Sequence, residues 1–138
     1  MNKNGKFIIA VALFSCSSLS FAASCTNTIE NNTVSALTVP AGANCTLNNS
    51  SIEGDVNIGK GGSLILNSSS IQGSIQANQA KAIKLINSSV SGDIHIAQAA
   101  TILSLDKSII SGNIHCSAST KLQANLSNIE GQKIEKCG

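Results

Sequence analysis

Along most of the chain, apolar and polar residues alternate in short runs, and the runs return at a fixed interval. Val56-Asn57-Ile58 and Leu64-Ile65-Leu66 are two such runs, and Ile71 ahead of Gly73 marks a third. Alternation with period two predicts strands whose every second residue points inward. The stretch Ser51-Ile52-Glu53-Gly54-Asp55-Val56-Asn57-Ile58 then recurs from Ser70, from Ser89 and from Ile109, and in decayed form from Asn128. Its glycines, Gly54, Gly73, Gly92, Gly112 and Gly131, are separated by 19, 19, 20 and 19 residues. Self-similarity at this period is the mark of a solenoid, in which each repeat buries its apolar side only against its neighbours.

Aligning the repeats yields five aliphatic columns. The first runs Leu37, Val56, Ile75, Ile94, Ile114, and the second Val39, Ile58, Ala77, Ile96, Cys116. The third runs Cys45, Leu64, Ile83, Leu103, Leu122, and the fourth Leu47, Leu66, Leu85, Leu105, Ala124. The fifth is Ile52, Ile71, Val90, Ile110, Ile129. One residue inserted between Ile96 and Leu103 accounts for the single longer step. The Ala-rich runs Gln79-Ala80-Lys81-Ala82 and Ala97-Gln98-Ala99-Ala100 are too short for a stable helix and are expected as turns. The glycine two residues after the fifth column fits a corner that needs positive φ or a close approach of backbones. Ser and Asn before it, as in Asn67-Ser68-Ser69-Ser70, can hydrogen-bond the local backbone and stack into ladders between coils.

The expected fold is therefore all-β, a parallel β-helix of about five coils of 19–20 residues. Such a repeat resembles the right-handed parallel β-helix of pectate-lyase-like proteins and, with shorter coils, of bactofilins. Gly54-Asp55-Val56 and Gly92-Asp93-Ile94 are similar to the Gly-Asp-Ile repeats of bactofilins, and the resemblance covers residues 37–131. It implies the fold and its handedness, and it rests on a repeat pattern with no functional motif.

The first residues read differently. Lys3 and Lys6 precede the apolar run Phe7–Phe14, and Ser20-Phe21-Ala22 supplies small residues for cleavage after Ala22. This is the layout of a signal peptide. The run is shorter than the roughly 20 residues of a membrane-spanning helix, so no membrane span is expected. A lipobox-like string, Leu13-Phe14-Ser15-Cys16, offers a lipidated Cys16 as the alternative, against which the bulky Phe14 stands. The expected division is a signal peptide at 1–22, an N-terminal cap at 23–36, and the β-helix with its C-terminal cap at 37–138. The expected destination is outside the cytoplasm of a bacterium, either the periplasm or, by secretion, the cell surface or beyond.

Beyond residue 22 the chain has no Phe, Tyr or Trp, no Arg, and seven Lys against seven Asp and Glu. It lacks the basic footprint of a nucleic-acid binder and the aromatic platforms that bases and sugar rings stack on. Four cysteines remain, Cys25, Cys45, Cys116 and Cys137, an even number that in an exported chain implies disulfides. Cys25 and Cys45 are 20 residues apart and Cys116 and Cys137 are 21 apart, about one coil in each case. Neighbouring strands are within disulfide reach, so the expected bridges join Cys25 to Cys45 and Cys116 to Cys137, one near each end.

Catalytic candidates are few. Asp55 and Asp93 follow corner glycines two coils apart, with neutral Ser74 between them, and are expected to be solvated turn residues; no catalytic residue is assigned. His95 and His115 both follow Gly-x-Ile and share one outward column with Asn57 and Gln76. Two histidines with only Asp93 or Asp106 to assist make a weak metal centre, so no metal or other cofactor is expected and a polar ladder is the simpler account. The Thr residues are too scattered for a flat ice-binding face. The expectation is a non-enzymatic module, monomeric or a small homo-oligomer, that presents a polar sheet to a protein or glycan. A self-assembling surface or matrix protein is the second reading, and a polysaccharide-active enzyme the third.

Overall fold

A computed structural model describes residues 22–97, 101–116, 119–131 and, for the backbone alone, 133–134. Expectations for the signal peptide, Cys16 and Cys137 fall outside the described residues. So does most of the run Ala97–Ala100.

The described chain is a parallel β-solenoid with three sheets. Sheet A stacks Ala23–Ser24, Leu37–Val39, Val56–Ile58, Ile75–Asn78, Ile94–Ala97, Ile114–His115 and Lys133–Ile134. Sheet B stacks Thr28–Glu30, Asn44–Asn48, Ser63–Asn67, Ala82–Ile86, Ile102–Asp106 and Lys121–Asn125. Sheet C stacks the two-residue strands Thr33–Val34, Ser51–Ile52, Ser70–Ile71, Ser89–Val90, Ile109–Ile110 and Asn128–Ile129. The chain visits the sheets in turn, so every strand bonds to its equivalent one coil away. No described residue is helical, and Gln79–Lys81 forms the expected turn between strands.

The register follows the repeat. Leu37 lies opposite Val56, Cys45 opposite Leu64, and Ile52 opposite Ile71. The extra residue also falls where expected. Asn78 opposes Ala97 at an offset of 19, but Ala82 opposes Ile102 at an offset of 20. Columns one and two are buried throughout, and columns three to five are buried down to Leu103, Leu105 and Ile110. Their last members are less covered: Leu122 and Ile129 are half-buried and Ala124 is exposed. They form the last described rung of sheets B and C, so no further described rung packs on them.

The N-terminal segment 23–36 is more regular than its polar composition implies. It adds a strand to each of the three sheets and covers the coil below it as a shortened rung. Ala23 opposes Leu37 at an offset of only 14, whereas Thr28 opposes Thr46 at 18. Cys25 sits in this contracted stretch, buried, and is bridged to Cys45 with a Cα–Cα distance of 5.4 Å. The pairing expected from one-coil spacing holds, although the backbone of Asn27, not Cys25, accepts the amide of Thr46 beside Cys45. Such a bond fits an oxidising compartment. Cys116 is buried and disulfide-bonded as well; its expected partner, Cys137, lies outside the described residues.

Candidate functional site

Two sets of corners shape the surface. At the first, between sheets A and C, the repeated glycines stack directly on one another: Gly73 donates its N–H to Gly54 O at 3.2 Å, and Gly92 to Gly73 O at 3.0 Å. None of these glycines has positive φ. A Cβ on Gly92 or Gly112 would collide with the backbone of the preceding corner glycine, so close approach is the reason for glycine here. Positive φ occurs instead at Gly42 and Gly61, both at +74°, in the turns between sheets A and B.

The residues after Gly54, Gly73 and Gly92 close this corner with their side chains. Asp55 Oδ1 accepts the Ser74 N–H at 2.8 Å, Ser74 Oγ accepts the Asp93 N–H at 3.1 Å, and Asp93 Oδ1 accepts the Asn113 N–H at 2.7 Å. Asp55 and Asp93 are therefore rungs of a cap-like ladder, each satisfying a backbone donor one coil on. This role was not legible in the sequence, because it depends on where the neighbouring coil places its amide.

At the second corner, between sheets B and C, Asn31, Asn49, Ser68, Asn87, Lys107 and Leu126 all adopt φ near +50°. The left-handed turn directs the next residue, a serine in most coils, into the interior. Ser50, Ser69, Ser88 and Ser108 are buried there. Each accepts an amide from the preceding coil, as Ser69 Oγ does from Ser50 at 3.1 Å and Ser88 Oγ from Ser69 at 3.1 Å. Each also donates to the carbonyl two residues back, as Ser88 does to Ile86 at 2.7 Å. The expected ladder exists, and it is internal.

Outside this ladder runs an open groove of about 730 Å³ along the rod. Its walls carry Asn31, Asn49, Ser68 and Asn87 on one side and Ser51, Ser70 and Ser89 on the other, with Lys107 and Ile109 toward one end. The lining residues are mostly Ser and Asn, with at least as much carbon as polar surface among them, drawn from successive coils at the strand spacing of about 4.8 Å.

The second feature lies on sheet A. His95 pairs with His115 in register, and their rings stack with centroids 4.4 Å apart and planes within 6°. Asp93, two residues before His95, brings Oδ2 to 3.9 Å from His95 Nε2. One potential ligand atom from each of Asp93, His95 and His115 falls within 4.8 Å of the others. Asp106, the other acid considered for this cluster, is on sheet B, where its Oδ1 accepts the Asn125 side-chain amide at 2.9 Å. It takes no part.

No helix among the described residues is long and apolar enough to cross a membrane. Comparison with known proteins yields no family model, no curated protein and no solved structure that matches the chain.

Proposed function

We propose that this chain is an exported, non-enzymatic binding module of the cell envelope, working in the periplasm or at the cell surface and presenting its polar surface to a glycan or protein. The observation that carries this reading is the groove between sheets B and C. It is long, open and lined by repeated hydroxyl and carboxamide groups. Such a lining suits an extended polar polymer that can exchange hydrogen bonds with successive coils. The aliphatic core holds these groups on a rigid frame, so little ordering is needed on binding. The two acids that could pair for hydrolysis, Asp55 and Asp93, each have an oxygen engaged by backbone.

Co-sedimentation of the purified mature chain with cell-wall polysaccharides tests the reading. Replacing Ser70 and Ser89 by Lys fills the groove from its sheet C side. Binding that is lost in this variant, with the circular dichroism spectrum retained, supports the module. Polysaccharide binding that persists unchanged in the variant overturns the groove as the site, and turnover of the polysaccharide by the wild-type chain overturns the non-enzymatic reading.

A second reading, self-assembly, draws on the terminal rungs. The sheet B strand Lys121–Asn125 ends its sheet among the described residues and is largely exposed. An unpaired parallel edge is a template for another chain. Sedimentation velocity over a hundredfold concentration range distinguishes a discrete species from a growing series.

A further inference from the structure

We propose that Asp93, His95 and His115 form a binding site for a divalent transition-metal ion of the Zn2+ type, separate from the groove and on a different sheet. The donor set is two imidazoles and one carboxylate, a combination suited to Zn2+, Ni2+ or Cu2+. It does not suit Ca2+, which requires six to eight oxygens.

Three observations carry the assignment. The first is convergence. A ligand atom from each of the three side chains falls within 4.8 Å of the other two. Bonds of about 2.0–2.2 Å to a central ion require each donor to close in by less than about 1 Å. The side chains of His95 and Asp93 are 40% and 38% exposed, so rotation about their side-chain bonds can supply that movement.

The second is preorganisation. Both histidines project from paired strands whose inward neighbours, Ile94, Ile96 and Ile114, are buried. The backbone positions of the two rings are therefore held by the core. Asp93 is held too: Oδ1 accepts the Asn113 N–H at 2.7 Å, which leaves Oδ2 turned toward His95. A carboxylate ligand with its second oxygen hydrogen-bonded to the protein is the arrangement that orients metal ligands elsewhere.

The third is locality. The outward column of sheet A carries Asn57 and Gln76 on the preceding coils and changes to His95 and His115 on these two. The Asp55 coil offers the same corner carboxylate but pairs it with Asn57, a poor ligand. Among the described residues, Asp93, His95 and His115 are the one group of three or more such side chains that converges. A simple polar ladder accounts for stacked side chains anywhere on the column. It does not require the acid and both imidazoles to meet at one place.

With three protein ligands the ion would keep open positions toward solvent, where water or a donor from a partner can sit.

The test uses the untagged mature chain with its disulfides intact, stripped with chelator and titrated with Zn2+ by calorimetry, with Ca2+ as control. The expected result is one equivalent of Zn2+ and no saturable Ca2+ binding. His95→Gln and His115→Gln retain a polar side chain of the kind Gln76 already places in this column, and each should weaken Zn2+ at least tenfold. Asp93→Asn keeps an oxygen for the Asn113 amide and should weaken Zn2+ by a smaller factor. Metal-free thermal unfolding of all three should match wild type, which separates lost ligation from lost folding. Absence of saturable Zn2+ binding to the wild-type chain overturns the proposal. So does unchanged affinity in the His95→Gln/His115→Gln double variant.

Discussion

The hydroxyl of Ser69 accepts the amide proton of Ser50, 19 residues earlier, at 3.1 Å, within the buried interior of the rod. Its own proton lies within reach of two carbonyls, those of Asn67 at 2.9 Å and Leu47 at 3.1 Å. One serine therefore links two coils and closes its own turn. The same contact recurs at Ser88 and Ser108, so the interior carries a continuous polar seam along its apolar columns. A buried polar group is tolerated when its donors and acceptors are all matched.

Removing one hydroxyl from that seam leaves the Ser50 amide without its partner. Ser69→Ala should therefore destabilise the fold by about 1–3 kcal/mol, the cost of a buried donor left unsatisfied. Urea unfolding followed by circular dichroism measures it. Ser70→Ala, one residue on and facing outward, should change the midpoint far less; equal effects would show that the seam is not what stabilises this corner.

The corner between sheets A and C makes a steric prediction. A methyl group at Gly92 would meet the backbone of Gly73 and the side chain of Ser74. Gly92→Ala should cost about 1–3 kcal/mol as an overpacking substitution, and the stacked neighbours should lose amide protection with it. At Gly42, by contrast, a Cβ meets nothing within 4 Å, but φ is +74°. Gly42→Ala should cost about 1–2 kcal/mol through backbone strain alone, leaving exchange at the other coils unchanged. Hydrogen exchange resolved by residue distinguishes the two mechanisms.

Leu126 offers a change in the favourable direction. It adopts φ +50° at a corner where the equivalent residues include Asn31, Asn49 and Asn87, and it is 79% exposed. Leucine gains nothing from burial there and bears the cost of the left-handed conformation. Leu126→Asn should stabilise the chain by about 0.5–1 kcal/mol, read as a rise in the thermal midpoint.

The bridge between Cys25 and Cys45 ties the contracted first rung to the next coil. The Cys25→Ser/Cys45→Ser variant should lose about 3 kcal/mol, as expected for a closed loop of this length. Loss should begin at the N-terminal rung, so limited proteolysis should cut between residues 25 and 45 before the central coils. Cleavage in the central coils first would contradict that order.

Much of this architecture is present in the one-dimensional pattern. A side-chain period of two marks strands, and a repeat of 19 or 20 residues places Leu37 over Val56 and Ile52 over Ile71 before any coordinate is known. The columns follow because a parallel solenoid can bury an apolar residue only against its equivalent on the next coil. The place of the inserted residue, the Cys25–Cys45 pair and the stacking of His95 on His115 follow for the same reason.

Other features arise only when coils lie side by side. The glycine column is set by close approach between corners, whereas positive φ falls on Asn49, Ser68, Asn87 and Lys107, residues whose composition alone reads as ordinary turn. Ser50 and Ser69 look like surface serines until the left-handed residue before each directs them inward. Segment 23–36 reads only as a cap, without visible strands, because its strands are short and its offset contracts. The meeting of Asp93 with His95 and His115 depends on a corner hydrogen bond to Asn113, made across coils. Sequence periodicity determines which residues are equivalent and which side of a strand they occupy. The direction in which a polar side chain turns is set by backbone donors and acceptors on the neighbouring coil, and only the tertiary structure brings those within reach.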